Sequence, residues 1–159
     1  MSKTVVVGID PGASGALCAL FLSGNLVTSI EFIDFKSTKL LGYINFLNKM
    51  RTLRYPIAAT GIESVNSMPG QGVKSVFSFG QRLGELEGML QTLEVGYEMP
   101  RPLTWQKACG VKPKSGKKGV YETLSKIYPK AELLGPKGGI NDGRCDALGI
   151  AHFLRGKYQ

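Results

Sequence analysis

The sequence predicts a single α/β domain over residues 1–159, with a central five-stranded mixed sheet flanked by helices. Three observations predict it. Two short β-branched runs each stop at an acid, a hairpin signal joins two further apolar runs, and helical periodicity alternates with strand-like segments through the middle of the chain. At 159 residues, with 43% hydrophobic and 20% charged residues, the chain suits one ordinary globular core and neither a disordered nor a membrane class.

Residues 4–9 form the first strand, a β-branched run closed by the turn Asp10-Pro11-Gly12. Residues 15–22 and 26–33, separated by Ser23-Gly24-Asn25, then read as a hairpin. Ser37 and Thr38 are positioned to cap a helix whose apolar positions Leu40, Ile44, Leu47 and Met50 follow helical spacing, with Pro56 beyond its end. A fourth strand covers 57–62 and stops at Glu63. From 73 to about 93 the stripe Val76, Phe79, Leu83, Leu86, Leu90, Leu93 predicts a helix. Gly80, Gly84 and Gly88 lie four apart on an adjoining face. Each glycine costs a helix about 1 kcal/mol relative to alanine, so that face calls for a close neighbour. That neighbour is either the fold's own sheet and helices or a second copy of the chain. A short strand near Tyr97, one helix over about 118–127 within the Lys-, Gly- and Pro-rich stretch 101–137, and a last helix over 142–154 complete the order.

Asp10 and Glu63 each end an apolar strand, where a buried-sheet pattern does not otherwise place charge. A helical crossover between the two strands allows them to be parallel neighbours, which brings both carboxylates to the strand-end crevice where ligands bind. Asp142 and Asp146 stand four apart, about 40° from one another around a helix, so both share a face. Four clustered acids repel each other and lose hydration. Hard divalent cations resolve that conflict, and Mg2+ held by carboxylates suits phosphodiester hydrolysis. Taken singly, Asp10 reads as a turn residue, Glu63 as a solvated strand end and Asp142 as a helix cap; Asp146, inside its helix, has no such reading. His152 falls about 240° around the helix from Asp146 and is not a ligand candidate. Ser64 and Cys145 lack a positioned base and read as structural.

The net charge of +8 favours a polyanionic partner. Lys107, Lys112, Lys114, Lys117, Lys118, Lys126, Lys130, Lys137 and Arg144 crowd the stretch before and into the last helix, which predicts a phosphate-tracking surface beside the acids. The three cysteines have no C-x-x-C pair, so neither a zinc site nor a disulfide framework is expected, and a reducing cytoplasm is. No stretch is long and apolar enough to span a bilayer.

Gly8-Ile9-Asp10-Pro11-Gly12, Ile62-Glu63-Ser64-Val65 and the run from Asp142 through Asp146 to Ala151 together resemble the RuvC family of Holliday junction resolvases, especially short phage-encoded members. The stretch Phe79-Gly80-Gln81 to Gly84 resembles the family's second-helix signature. The resemblance implies an RNase H-like sheet and a homodimer. It also implies two Mg2+ ions per site, with Mn2+ as a substitute, and paired nicks in branched DNA that leave 5′-phosphates. By position Asp10, Glu63 and Asp146 match the first, second and last family carboxylates. Asp142 matches the third with four-residue spacing in place of three. Lys107, and Lys117 or Lys118, resemble basic family positions that hold DNA near the metals. One departure is the lack of an aromatic between Val65 and Gly72, where family members often carry one that enters the junction centre; Met68 and Phe77 are the apolar residues at hand.

Other readings make different demands. An actin-like phosphotransferase would use Asp10 to Gly15 as a phosphate loop but needs two such domains and no late Asp pair. A non-catalytic branched-DNA-binding protein would bind without cutting, and an RNA nuclease of YqgF type would share the opening motif and differ in substrate.

Overall fold

The computed structural model describes residues 2–158. Its strands are β1 (Lys3–Ile9), β2 (Ala16–Ser23), β3 (Leu26–Asp34) and β4 (Ile57–Ile62), in the spatial order β3-β2-β1-β4. β1 pairs antiparallel with β2 and parallel with β4, and β2 pairs antiparallel with β3, so the sheet is mixed as predicted. Helices α1 (Phe35–Thr52) and α2 (Val73–Thr92) cover one face. The other carries α3 (Pro102–Cys109), α4 (Gly116–Ile127) and α5 (Asp142–Lys157).

The two-residue period of the strands divides the core in two. Val5, Val7, Ile9, Leu17, Ala19 and Phe21 pack beneath α1 and α2. Val6, Cys18, Leu20 and Leu22 pack against Trp105, Leu124, Leu148 and Ala151 on the opposite side. Both faces being covered, β1 is buried without interruption from Val5 to Ile9, which accounts for its unbroken apolar run. A Cβ on Gly8 would lie 2.1 Å from the Ala147 carbonyl oxygen and 2.7 Å from the Ala151 nitrogen. Only glycine permits this approach, and it brings α5 down onto the β1 backbone close to the strand end.

The sheet has four strands, not the five expected. The segment after Tyr97 does run beside β4: Glu98 N–H donates to Thr60 O, Ile62 N–H to Glu98 O and Ser64 N–H to Pro100 O, at 3.0, 3.0 and 2.9 Å. The next rung would need an N–H from residue 100, and Pro100 has none. Upstream, Val95 N–H turns back to Leu90 O at the end of α2. A single bridge, Gly61 to Glu98, remains of the fifth strand.

Three other expectations are revised. The segment 101–137 holds two helices, and α3 was not anticipated. Pro102 at its start and Gly110 at its left-handed end, with φ 81°, are ordinary helix boundaries. α1 begins at Phe35 and is interrupted at Lys39, with φ 57° and ψ −165°. The Ser37 and Thr38 hydroxyls donate back to Asp34 O rather than capping a later helix. Finally, among the described residues nothing lies within 4 Å of the Cβ positions of Gly80, Gly84 and Gly88 outside their own helix backbone, so the close neighbour that face calls for is not found there. Val73 and Phe77 extend the same face and are 87% and 73% exposed.

Candidate metal centre

Parallel pairing of β1 and β4 ends with Ile9 opposite Ile62, and Glu63 N–H donates to Ile9 O at 3.1 Å. Asp10 and Glu63 therefore leave neighbouring strands at the same level. The Asp10 carboxylate accepts from Gly12 N–H at 3.1 Å, inside the turn that leads to β2. Asp146 comes from the second turn of α5, lowered onto β1 by the contact at Gly8. One carboxylate oxygen from each of Asp10, Glu63 and Asp146 lies within 4.8 Å of the others.

Asp142 stands outside that trio, in the first turn of α5, where the capping role belongs to Asn141, whose side chain accepts from Arg144 N–H at 3.1 Å. Gly143 bridges to Gly15 and holds this turn against the loop after Asp10. The Asp142 carboxylate pairs with Lys117, from the first turn of α4.

Glu63 is only 7% exposed, and its Oε2 accepts a 2.7 Å hydrogen bond from the indole N–H of Trp105. Among the described residues no Lys, Arg or His forms an ion pair with Asp10, Glu63 or Asp146. Their proton affinities follow from that isolation. Burial raises Asp146 to about 8, with repulsion from Asp10, Glu63 and Asp142 adding and Lys117 opposing. It raises Glu63 to about 7 against the Trp105 hydrogen bond, with Asp10 adding to the rise. Burial likewise raises Asp10 to about 6, opposed by the Gly12 N–H and assisted by Asp142. Three desolvated carboxylates with oxygen donors only and no protein cation among them fit a hard divalent ion.

Lys107 on α3, Lys114 in the α3–α4 loop, and Lys117 and Lys118 on α4 are all exposed. Lys118 also lies 3.8 Å from Glu122. Arg144 belongs to a different set: its guanidinium makes two bonds to Asp34, at 2.9 and 2.7 Å, and one to Glu132 O. It ties the start of α5 to the end of β3. His152 faces Tyr128, with its Nδ1 2.7 Å from the hydroxyl, away from the acids as expected. Cys145 is buried, and burial raises its thiol to about 12, which fits the structural role expected of it. No helix among the described residues is long and apolar enough to cross a membrane.

The bond from Trp105 to Glu63 is the feature of the site that sequence reasoning missed. The signal was faint: a lone tryptophan in Pro102-Leu-Thr-Trp-Gln-Lys107, just beyond the strand-like segment that abuts Glu63.

No family model and no curated protein sequence matches the chain. Solved structures do. Thermus thermophilus RuvC is similar at a TM-score of 0.63 and 19% identity over 98% of each chain. The same protein in complex with a Holliday junction substrate gives 0.61 and 19%, over 94% of this chain and 91% of that one. The yeast mitochondrial Holliday junction resolvase gives 0.55 and 15%, over 97% of this chain and 78% of that one. At these identities the likeness establishes a shared α/β fold, the RNase H-like fold expected from the sequence.

Proposed function

We propose that this chain is a Mg2+-dependent endonuclease that hydrolyses phosphodiester bonds in branched DNA, four-way junctions above all. The observation that carries the reading is the trio Asp10, Glu63 and Asp146, whose carboxylates converge without any protein cation between them. The fold shared with junction resolvases, one of them solved on its junction, supports the choice of substrate.

In this reading the three acids hold the metal, and Asp142 contributes its carboxylate from the rim. Hard divalent cations, two per site with Mn2+ as a substitute, supply Lewis-acid polarisation of phosphodiester oxygens and activation of water. The chain's own residues do the rest. The strand ends and α5 fix the acids before substrate arrives, so no reorganisation is needed at the moment of reaction. Lys107, Lys114, Lys117 and Lys118 bind the phosphate backbone beside them. Met68, 69% exposed in the segment following Glu63, is the candidate for contact with unstacked bases. The bare glycine face of α2, flanked by Val73 and Phe77, is the seam of a homodimer that presents two such sites.

The deciding experiment offers labelled four-way junction, three-way fork, linear duplex and structured RNA to the protein, with Mg2+, Mn2+ or chelator. Metal-dependent nicking of the branched DNAs, with little on linear duplex, is expected. Preferential cutting of RNA would move the assignment to an RNA nuclease, and binding without cutting would leave a non-catalytic DNA-binding protein. Sedimentation of Gly84→Arg tests the seam separately: particles of half the mass that still bind DNA are expected, and a monomeric unmodified protein would remove the dimer.

A further inference from the structure

Trp105 is fully buried among Val6, Leu148, Cys109 and their neighbours, yet its ring carries a polar N–H. Buried indole N–H groups need an acceptor, and indole can only donate. Here the acceptor is Oε2 of Glu63, 42 residues away in sequence. Two features bring the ring there. α3 starts directly after the backbone bond from Ser64 N–H to Pro100 O, so its first turn is tied to the residue beside Glu63. On α5, a Cβ on Gly149 would lie 2.3 Å from Cζ3 and 2.6 Å from Cε3 of the indole, so the absence of a side chain there is the notch in which the ring sits. A phenylalanine would keep an aromatic ring in the core at the cost of a small void; it would not hold the carboxylate.

We propose that Trp105 is a positioning residue for the metal centre: its indole N–H holds the Glu63 carboxylate in the orientation needed to meet Asp10 and Asp146, and Gly149 is the space that permits this. The inference rests on the metal-centre reading above. Partners of ligating side chains typically alter metal affinity by about 10- to 100-fold when removed.

Trp105 is the chain's one tryptophan, which makes the protein its own reporter. In the unmodified protein, Mn2+ should quench Trp105 fluorescence and raise the melting temperature with a common midpoint, and Asp146→Asn should abolish both effects. Trp105→Phe should fold and shift the Mn2+ midpoint for thermal stabilisation upward by about 10- to 100-fold. Should that variant not fold, β-(3-benzothienyl)alanine at position 105 keeps the bicyclic shape with sulfur in place of N–H, and the same shift is expected. Gly149→Ala, which displaces the ring while leaving its N–H intact, should shift the midpoint in the same direction. An unmodified protein that responds to Mn2+ alongside a Trp105→Phe or benzothienyl variant with an unchanged midpoint would overturn the positioning role alone. An unmodified protein with no Mn2+ response in either signal would overturn the metal centre, and the inference with it.

Discussion

Asp10, Asp34 and Glu63 each lie at the end of a strand, but the structure treats them in two ways. Asp34 receives both arms of the Arg144 guanidinium, and that partner holds its carboxyl below the ordinary range. Asp10 and Glu63 meet Asp146 instead, and all three are pushed up by burial, with no ion pair among the described residues to offset it. If the trio is the metal centre proposed here, the contrast separates a structural acid from a functional one more sharply than position does. A carboxylate that stabilises the fold is supplied with its counter-charge by the fold, whereas one that serves a ligand is left without it.

Neutralising one acid of each kind gives the largest expected effects, and in opposite directions. Glu63→Gln or Asp146→Asn should reduce cleavage by several orders of magnitude. Without metal, either variant should melt at the same temperature as the parent or higher, because repulsion is relieved. Asp34→Asn should retain metal-dependent cleavage and lose stability, since Arg144 is left half-buried without its partner. After allowance for partial exposure that loss is about 2 kcal/mol, or roughly 4–8 °C in Tm for a chain of this size. Melting scans with chelator, run beside junction-cleavage assays, measure both. Full cleavage by both Glu63→Gln and Asp146→Asn would remove the active site, and a drop in metal-free Tm for them would erase the contrast with Asp34.

Next in size is the dependence of metal-free stability on pH. Asp10, Glu63 and Asp146 bind protons more tightly folded, at about 6, 7 and 8, than at their ordinary values of 3.8, 4.5 and 3.8. The folded state then holds more protons than the unfolded one between about pH 4 and pH 8, so stability is lost as pH rises through that window and levels above it. Asp34, lowered by Arg144, acts the other way: its contribution is present above its ordinary value of 3.8 and disappears on further acidification. Chemical denaturation with chelator from pH 3 to 9 should show maximal stability on the acid side of neutrality. Asp146→Asn should flatten the upper limb and Asp34→Asn the lower. A metal-free protein more stable at pH 8 than at pH 5 would contradict the isolation of the trio. Added Mg2+ should reverse the upper limb, since ligation requires the deprotonated acids.

Much of this was legible in the sequence. Asp10, Glu63 and Asp146 were found from acids interrupting Val and Ile runs and from helical spacing, all local signals. What escaped depends on contacts between distant segments. Asp34 closes the strand segment Ile-Glu-Phe-Ile, and the guanidinium of Arg144, 110 residues on, marks it as structural. That same arginine reads as one more cation in a basic stretch. Trp105 lies in the core, and its bond to Glu63 spans 42 residues. Two misses were open to local reasoning. Pro102 and Gly110 bracket α3, and Pro100 lacks the N–H that a fifth strand requires.

Asp142 sharpens the comparison because it belongs to neither kind. It has a partner, as Asp34 does, but that partner is a single lysine on another helix, not a two-armed arginine packed against the sheet. The Lys117 side chain is 76% exposed, and an ammonium on a flexible stem can turn from a carboxylate to a phosphate in a way a bidentate guanidinium cannot. Such a pair orients Asp142 in the free protein and, in the proposed reading, can release it when a DNA backbone takes the lysine. Lys117→Gln should therefore leave the metal-free melting temperature nearly unchanged, as expected for a solvent-screened pair. It should weaken binding to all branched substrates alike and reduce the slope of log K against log salt by about one. Fluorescence anisotropy of a labelled junction between low and moderate salt measures both quantities. An unchanged slope would leave Lys117 as a counter-ion for Asp142 and nothing more, and a large loss of thermal stability would place the pair with Asp34 and Arg144 among the contacts that hold the fold.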